Sequence, residues 1–246
     1  MIAEQYTAAV RRVLTHLETD ARPAIEEAAG RVAGALRGGG CVFVAPIGHG
    51  LQHDFINRAG GLAAVQPFAY ALSVTDPVAA CRKDRPRPEP FDREAQAVRV
   101  ALGASQVRAG DVMVTGSVSG RNVGPVELAL ACRERGVQTI GLTALAYTKR
   151  VTSLHPSGKR LFEAVDTAVD IGAPYGDAVV EAPGFDVPLL PVSGVATLVA
   201  GWMLWGRAAE LLAAEGTAPT VFLSVNREGG AEFHEKALKR FQERGC

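Results

Sequence analysis

Cysteine is scarce in this chain, and its four copies, Cys41, Cys81, Cys132 and Cys246, show no Cys-x-x-Cys spacing. A chain of 246 residues with 48% hydrophobic content buries a substantial core without disulfide staples, so these read as reduced thiols of a cytoplasmic protein. There is no His/Cys cluster at metal-ligand spacing, which predicts no metal. Net charge is lacking too. Lys plus Arg and Asp plus Glu stand at 26 each, so no global field draws the chain to nucleic acid or to an anionic membrane, and any attraction for an anion has to be local. Long apolar runs are missing: the most apolar stretch, Val195 to Gly206, falls well short of the roughly twenty residues that cross a bilayer and reads as a buried helix. Met1 to Gln5 carries neither basic flank nor apolar core, so no secretory signal is visible. Gly48-x-Gly50 lacks the third glycine of a dinucleotide fingerprint, which argues against a nicotinamide cofactor, and no cofactor is expected.

What is present is a regular alternation. Ile2, Tyr6, Val10, Val13, Leu14 and Leu17 recur at helical spacing; Ile25, Ala28, Ala29, Val32 and Leu36 follow in a second helix with Pro23 in its first turn and Gly38-Gly39-Gly40 at its end. Short apolar runs then alternate with helical patterns, at Cys41 to Ala45, roughly Ala63 to Leu72, Asp111 to Thr115, Gln138 to Thr143 and Ala168 to Ile171. This predicts a three-layer α/β/α domain over residues 1–246, with a mainly parallel five-stranded sheet. Prolines at alternate positions over Asp84 to Pro90 predict an extended, exposed loop.

The most informative stretch is Val114-Thr115-Gly116-Ser117-Val118-Ser119-Gly120-Arg121-Asn122, an apolar run that ends in a small, hydroxyl-rich turn with an amphipathic pattern directly behind it. A strand feeding a helix N-terminus in this way is an anion cradle: Ser117 and Ser119 offer hydroxyl donors, Gly116 and Gly120 let the backbone approach, and the first helical amides favour negative charge. Serine also forms turns and caps helices, Asn122 has a capping role open to it, and Arg121 a solvent-facing one. Ser117 has no identifiable base-and-orienter pair, so a serine hydrolase is not indicated.

Ser117-Val118-Ser119-Gly120-Arg121-Asn122, followed by Pro125 and Glu127, resembles the phosphate loop of the sugar isomerase (SIS) family of phosphosugar-binding domains, where the usual form begins Ser-Asn-Ser-Gly. Further pieces are similar to one little-characterised bacterial branch, related to phosphoheptose isomerases: Gly48-His49, Arg58 to Leu62, Val151 to Ser153 with Ser157 to Lys159, Gly176 to Glu181, and Val221 to Ser224 with Gly229-Gly230 and His234. The resemblance implies a flavodoxin-like sheet and a homodimer or homotetramer with sites at subunit boundaries, helices 1–37 packing on a partner. It implies a sugar phosphate held by Gly48, Ser117, Ser119, Gly120, Arg121, Asn122 and Ser193. In the first loop, Pro46, Ile47 and Gly50 replace small or hydroxyl residues of that branch, so two serine donors are missing.

Aldose-ketose isomerisation needs a base to move a proton between adjacent carbons and a group to manage the carbonyl and ring oxygens. Asp54, four residues before Arg58, stands where similar heptose phosphate isomerases carry a Glu base; His53 beside it, His49 in the first loop and His234 near the C-terminal helix are the other candidates. Glu127 reads equally as a helix-dipole partner, Asp177 and Glu181 as exposed residues of an extended edge, and His155 and Lys159 as a loop. Two functions stay open: a phosphosugar isomerase, with elimination beside the carbonyl as a variant, and a noncatalytic phosphosugar sensor.

Overall fold

The computed structural model describes residues 1–86 and 92–246. Two amphipathic helices, α1 (Ile2–Glu18) and α2 (Arg22–Arg37), lead into β1 (Val42–Ile47), a 3-10 turn (Gly48–Asp54) and β2 (Val65–Pro67). Then follow α3 (Arg93–Ala104), β3 (Val112–Gly116), α4 (Val123–Glu134), β4 (Gln138–Thr143), the short α5 (Leu145–Thr148) and α6 (Leu161–Ala164), and β5 (Thr167–Asp170). A small hairpin, β6 (Ala178–Val180) with β7 (Leu189–Pro191), precedes the long α7 (Ser193–Ala214) and α8 (Gly230–Arg244).

Five strands form one parallel sheet in the order β2-β1-β3-β4-β5. β1 and β3 are apolar at successive positions because both faces of the sheet are covered. Val42 and Val44 of β1 and Val112 and Val114 of β3 meet α1, α2 and α7, while Ala45 and Met113 point into a second cluster with Val98 and Leu102 of α3 and Leu128 and Cys132 of α4. The strand period of two thus feeds two cores. The sequence-based strand over Ala63 to Leu72 is cut to Val65–Pro67: Pro67 has no N–H for a ladder, and an edge strand tolerates it only at its end. The proline-rich stretch expected to run extended over 84–90 lies, from residue 87 on, outside the described residues.

The apolar stripes of α1 and α2 are buried within this chain. Val13, Leu17, Ile25, Ala28 and Val32 share one core with Leu204, Trp205 and Leu212 of α7, so a partner subunit would have to use the opposite faces of these helices. Val195 to Gly206 does lie in a helix, α7, which buries Ala196, Thr197, Ala200, Gly201, Leu204 and Trp205 but leaves Val195 and Gly206 exposed, and Phe55 from the turn after β1 lies edge-on between Trp202 and Trp205, with ring centroids 5.7 and 6.1 Å away. Among the described residues no helix is long and apolar enough to cross a membrane.

Candidate anion site at the sheet switch point

Pro46 shapes the first wall. Lacking an N–H, it cannot continue the ladder to β3, and the register slips between Val44 and Ile47. Beyond the slip the two strands meet again at Ile47 and Gly116. The chain then turns through His49 (φ 62°) and Gly50 (φ 74°), with the Ile47 amide donating to Gln52 Oε1 at 3.0 Å. A left-handed histidine is uncommon, though His tolerates the region better than most residues, and such outliers concentrate at ligand sites.

The second wall is the loop after β3. Gly116 lets Ile47 approach: a Cβ there would stand 2.9 Å from Ile47 Cγ2 and 3.3 Å from the Leu142 carbonyl oxygen. Gly120 adopts φ 61°, and its amide donates to the Ser117 carbonyl at 3.1 Å and to Ser117 Oγ at 3.2 Å. The loop's carbonyls are turned outward and used. Val118 accepts from the Ala144 amide at 3.1 Å, Gly120 from Leu161 at 2.7 Å, and Arg121 from Leu154 at 2.8 Å. The amides of Val118, Ser119, Arg121 and Asn122 donate to no backbone group among the described residues, and the first amides of α4 follow them. Outward carbonyls with unspent amides make an anion-binding concavity, reinforced by roughly half a positive charge at the helix N-terminus.

Between these walls lies a cavity of about 500 Å³. Gly48, His49, Ser117, Ser119 and Asn122 line it, together with Tyr70, Glu94, Gly124, Tyr147, Gly176 and Asp177. Asn122 starts α4 but makes no side-chain cap hydrogen bond, which leaves its amide for a ligand. No Lys or Arg is among the described lining residues, so among these the pull on an anion comes from main-chain amides.

Two lining carboxylates behave differently. Asp177 (φ 67°) is spent on the start of α7: it accepts from the amides of Val192 at 3.1 Å and Ser193 at 2.8 Å and from Ser193 Oγ at 2.6 Å. The expectation of a merely exposed edge residue is therefore corrected, and Ser193, itself buried, meets the cavity only through Asp177. Glu94 lies over Gly124, where a Cβ would stand 3.0 Å from its carboxyl carbon, and it makes no hydrogen bond or ion pair among the described residues. Burial pushes the Tyr70 hydroxyl up, and the nearby Glu94 charge adds to the shift. Glu94 and Tyr70 carried no local signal in the sequence, because only the packing of α3 on α4 and the return of the segment after β2 bring them here.

The remaining sequence candidates lie off the cavity wall. Asp54 pairs with Arg58 at 3.3 Å, and His53 rests 3.2 Å from the Gln52 side-chain nitrogen. His234 stacks on Phe222 with ring centroids 4.7 Å apart, and its Nδ1 is buried without a partner among the described residues. Gly120 is buried beneath the loop that it shapes, and the half-buried Arg121 is outside the lining. Glu127 and His155, read from the sequence as a dipole partner and a loop residue, form instead a buried pair, His155 Nε2 to Glu127 Oε2 at 2.7 Å. No group of three His, Cys, Asp or Glu among the described residues is placed to hold a metal.

A doubly wound sheet in this order binds ligands beyond its carboxyl ends where the winding reverses, between β1 and β3, and the amide-lined cavity sits there. Fold and cavity together define an α/β protein with an amide-lined cavity at the sheet switch point. The chain belongs to the SIS domain family, whose model matches residues 5–144 and so includes both loops. Relatives cover nearly its whole length. A UPF0309 protein of Streptomyces griseus is 33% identical over 249 residues, 99% of this chain and 96% of its own, and one of Listeria innocua is 31% identical over 235 residues, 95% and 93%. Among solved structures, the phosphoheptose isomerase of Neisseria gonorrhoeae superposes with a TM-score of 0.54 over 86% of this chain and 97% of its own, at 16% identity. That of Francisella tularensis does so with 0.52 over 85% and 96%, at 13% identity.

Proposed function

We propose that this protein binds a sugar phosphate in the β1–β3 cavity and enolises it, as an aldose-ketose isomerase. The phosphate would rest on the Ser117 to Asn122 loop and the first amides of α4, with the sugar reaching along Tyr70, Tyr147 and Asp177. The observation that carries this reading is the juxtaposition of an unspent amide cradle with a carboxylate, Glu94, that has no partner among the described residues, in one cavity. A base there takes the proton from the carbon beside the carbonyl, and the enediol takes a proton back at the neighbouring carbon; His49 or Tyr70 would steady the oxygens. The SIS family membership and the phosphoheptose isomerase folds support the substrate class. Asp54, His53 and His234 enter such a site only if a second copy presents them, so we also propose a homodimer or homotetramer. Elimination of a substituent beside the carbonyl would start from the same proton abstraction.

The test is incubation with a panel of aldose and ketose phosphates in deuterated water. We expect exchange at the carbon beside the carbonyl, loss of that exchange in Glu94→Gln, and binding kept within about tenfold. Loss in Asp54→Asn but not in Glu94→Gln would move the base to Asp54 and a partner-shared site. If phosphosugars bind but none exchanges, the protein is a phosphosugar sensor, the second reading that the crowded first loop and its missing serines favour.

A further inference from the structure

We propose that the buried Glu127–His155 pair and the exposed Ser157 form a positioning relay that holds the anion loop in its amide-presenting shape. The proposal rests on the anion-cradle reading above and goes beyond it. Glu127 and His155 are only 5% and 8% exposed. His155 Nε2 lies 2.7 Å from Glu127 Oε2, and His155 Nδ1 lies 2.7 Å from Ser157 Oγ and accepts from the Ser157 amide at 3.1 Å. An amide can only donate, so Nδ1 is the acceptor and Nε2 carries the proton that it gives to Glu127. The ring is thereby assigned one neutral tautomer. The other Glu127 oxygen meets Arg99 of α3, which also forks onto Glu134.

The relay reaches the site through main-chain bonds. Its loop is closed by Ser153 Oγ donating to the Lys159 carbonyl at 2.6 Å and by the His155 amide donating to Ser153 Oγ at 3.0 Å. From its two ends, Leu154 and Leu161 donate to the carbonyls of Arg121 and Gly120. Those are the bonds that turn the anion loop's carbonyls away and leave its amides inward. Glu127 sits on α4, whose first turn is the other half of the cradle. The relay therefore ties both halves to one buried contact. A serine on a His–Glu pair also has the connectivity of a nucleophile, but Ser157 is exposed and lines no part of the cavity, so the pair orients rather than attacks.

The charged groups that face His155 are Glu127 from α4 and, behind it, Arg99 from α3. The probe is sulfate, and Ser157→Ala should lose several-fold in affinity for it while melting as wild type does. His155→Gln, which keeps a donor for Glu127 but has no acceptor at the Nδ1 position, should lose about tenfold in affinity, and hydrogen exchange of the Gly120, Leu154 and Leu161 amides, whose bonds shape the loop, should quicken. His155→Asn, which keeps an acceptor for Ser157, should restore part of the protection. Folded variants with unchanged exchange at Gly120, Leu154 and Leu161 would overturn the relay. If wild type binds neither sulfate nor phosphosugar, the cradle reading fails, while the exchange measurement still decides whether His155 holds the loop.

Discussion

At the scale of single residues, the two serines of the anion loop do different work. Ser117 Oγ accepts from the Gly120 amide and is buried in the turn, whereas Ser119 lines the cavity without a side-chain hydrogen bond among the described residues. Replacing both by Ala should weaken phosphosugar binding by about 1–3 kcal/mol, the worth of hydrogen bonds to a charged group, as read by calorimetry. Ser117→Ala should also lower stability by about 1 kcal/mol, and Ser119→Ala should leave the melting temperature where it is. Equal effects of the two on melting would mean that both are turn residues.

At the scale of elements, the cavity and the longest helix share a residue. Asp177 accepts the first amides of α7 across sixteen residues of sequence, from a hairpin edge, and thereby caps a helix that packs on α2 and on Phe55. Asp177→Ala should cost about 1–2 kcal/mol, the usual value of a lost helix cap, which lowers Tm by roughly 2–8 °C for a chain of this size. Calorimetric melting checks it. Asp177→Asn keeps the acceptor oxygen and should recover most of the loss. The Gly120 position is a second such joint: at φ 61° an added Cβ would stand 2.7 Å from Thr148 Oγ1, so Gly120→Ala should deform the loop and cost binding and stability together. Unimpaired binding in a stable Gly120→Ala protein would remove this backbone shape from the site.

At the scale of the whole molecule, acid stability and assembly are the measurable properties. Hydrogen bonds from Arg160, first from its side chain and then from its amide, hold the Glu163 carboxyl down to about 2. Glu27 is lowered by Arg31 and Thr167, and Glu134 by Arg99. Each of these carboxyls is held below its unfolded value, so the stabilisation is present above about pH 4.3 and is lost in acid, for Glu163 as the pH falls toward about 2. Glu163→Gln should flatten that acid limb in denaturation titrations, with little change at neutral pH beyond the loss of a partly exposed pair. For assembly, we expect a dimer or tetramer in light scattering at micromolar concentration. A monomer that still exchanges substrate protons would show the one-chain cavity to be sufficient and would exclude Asp54 and His234 from the chemistry.

The five sheet strands and the helix behind the anion loop were legible in the sequence because each rests on local physics: apolar runs for strands buried on both faces, and a Gly/Ser turn that only a strand-to-helix joint uses well. Ser117, Ser119, Asn122, Gly48 and His49 meet in one cavity because the strand order puts the ends of β1 and β3 side by side. The rest depended on contacts far apart in the chain. Glu94 reaches Gly124 only through α3 on α4, Asp177 reaches Ser193 across the hairpin, and Glu127 finds His155 beneath the loop. A carboxylate's local sequence looks the same whether it faces water, a helix cap or a buried histidine. Composition and periodicity determined which segments are strands and helices and which Gly/Ser turn joins β3 to α4; tertiary packing alone decided which acids are spent on structure and that Glu94 has no partner among the described residues, because that depends on partners that no local pattern encodes.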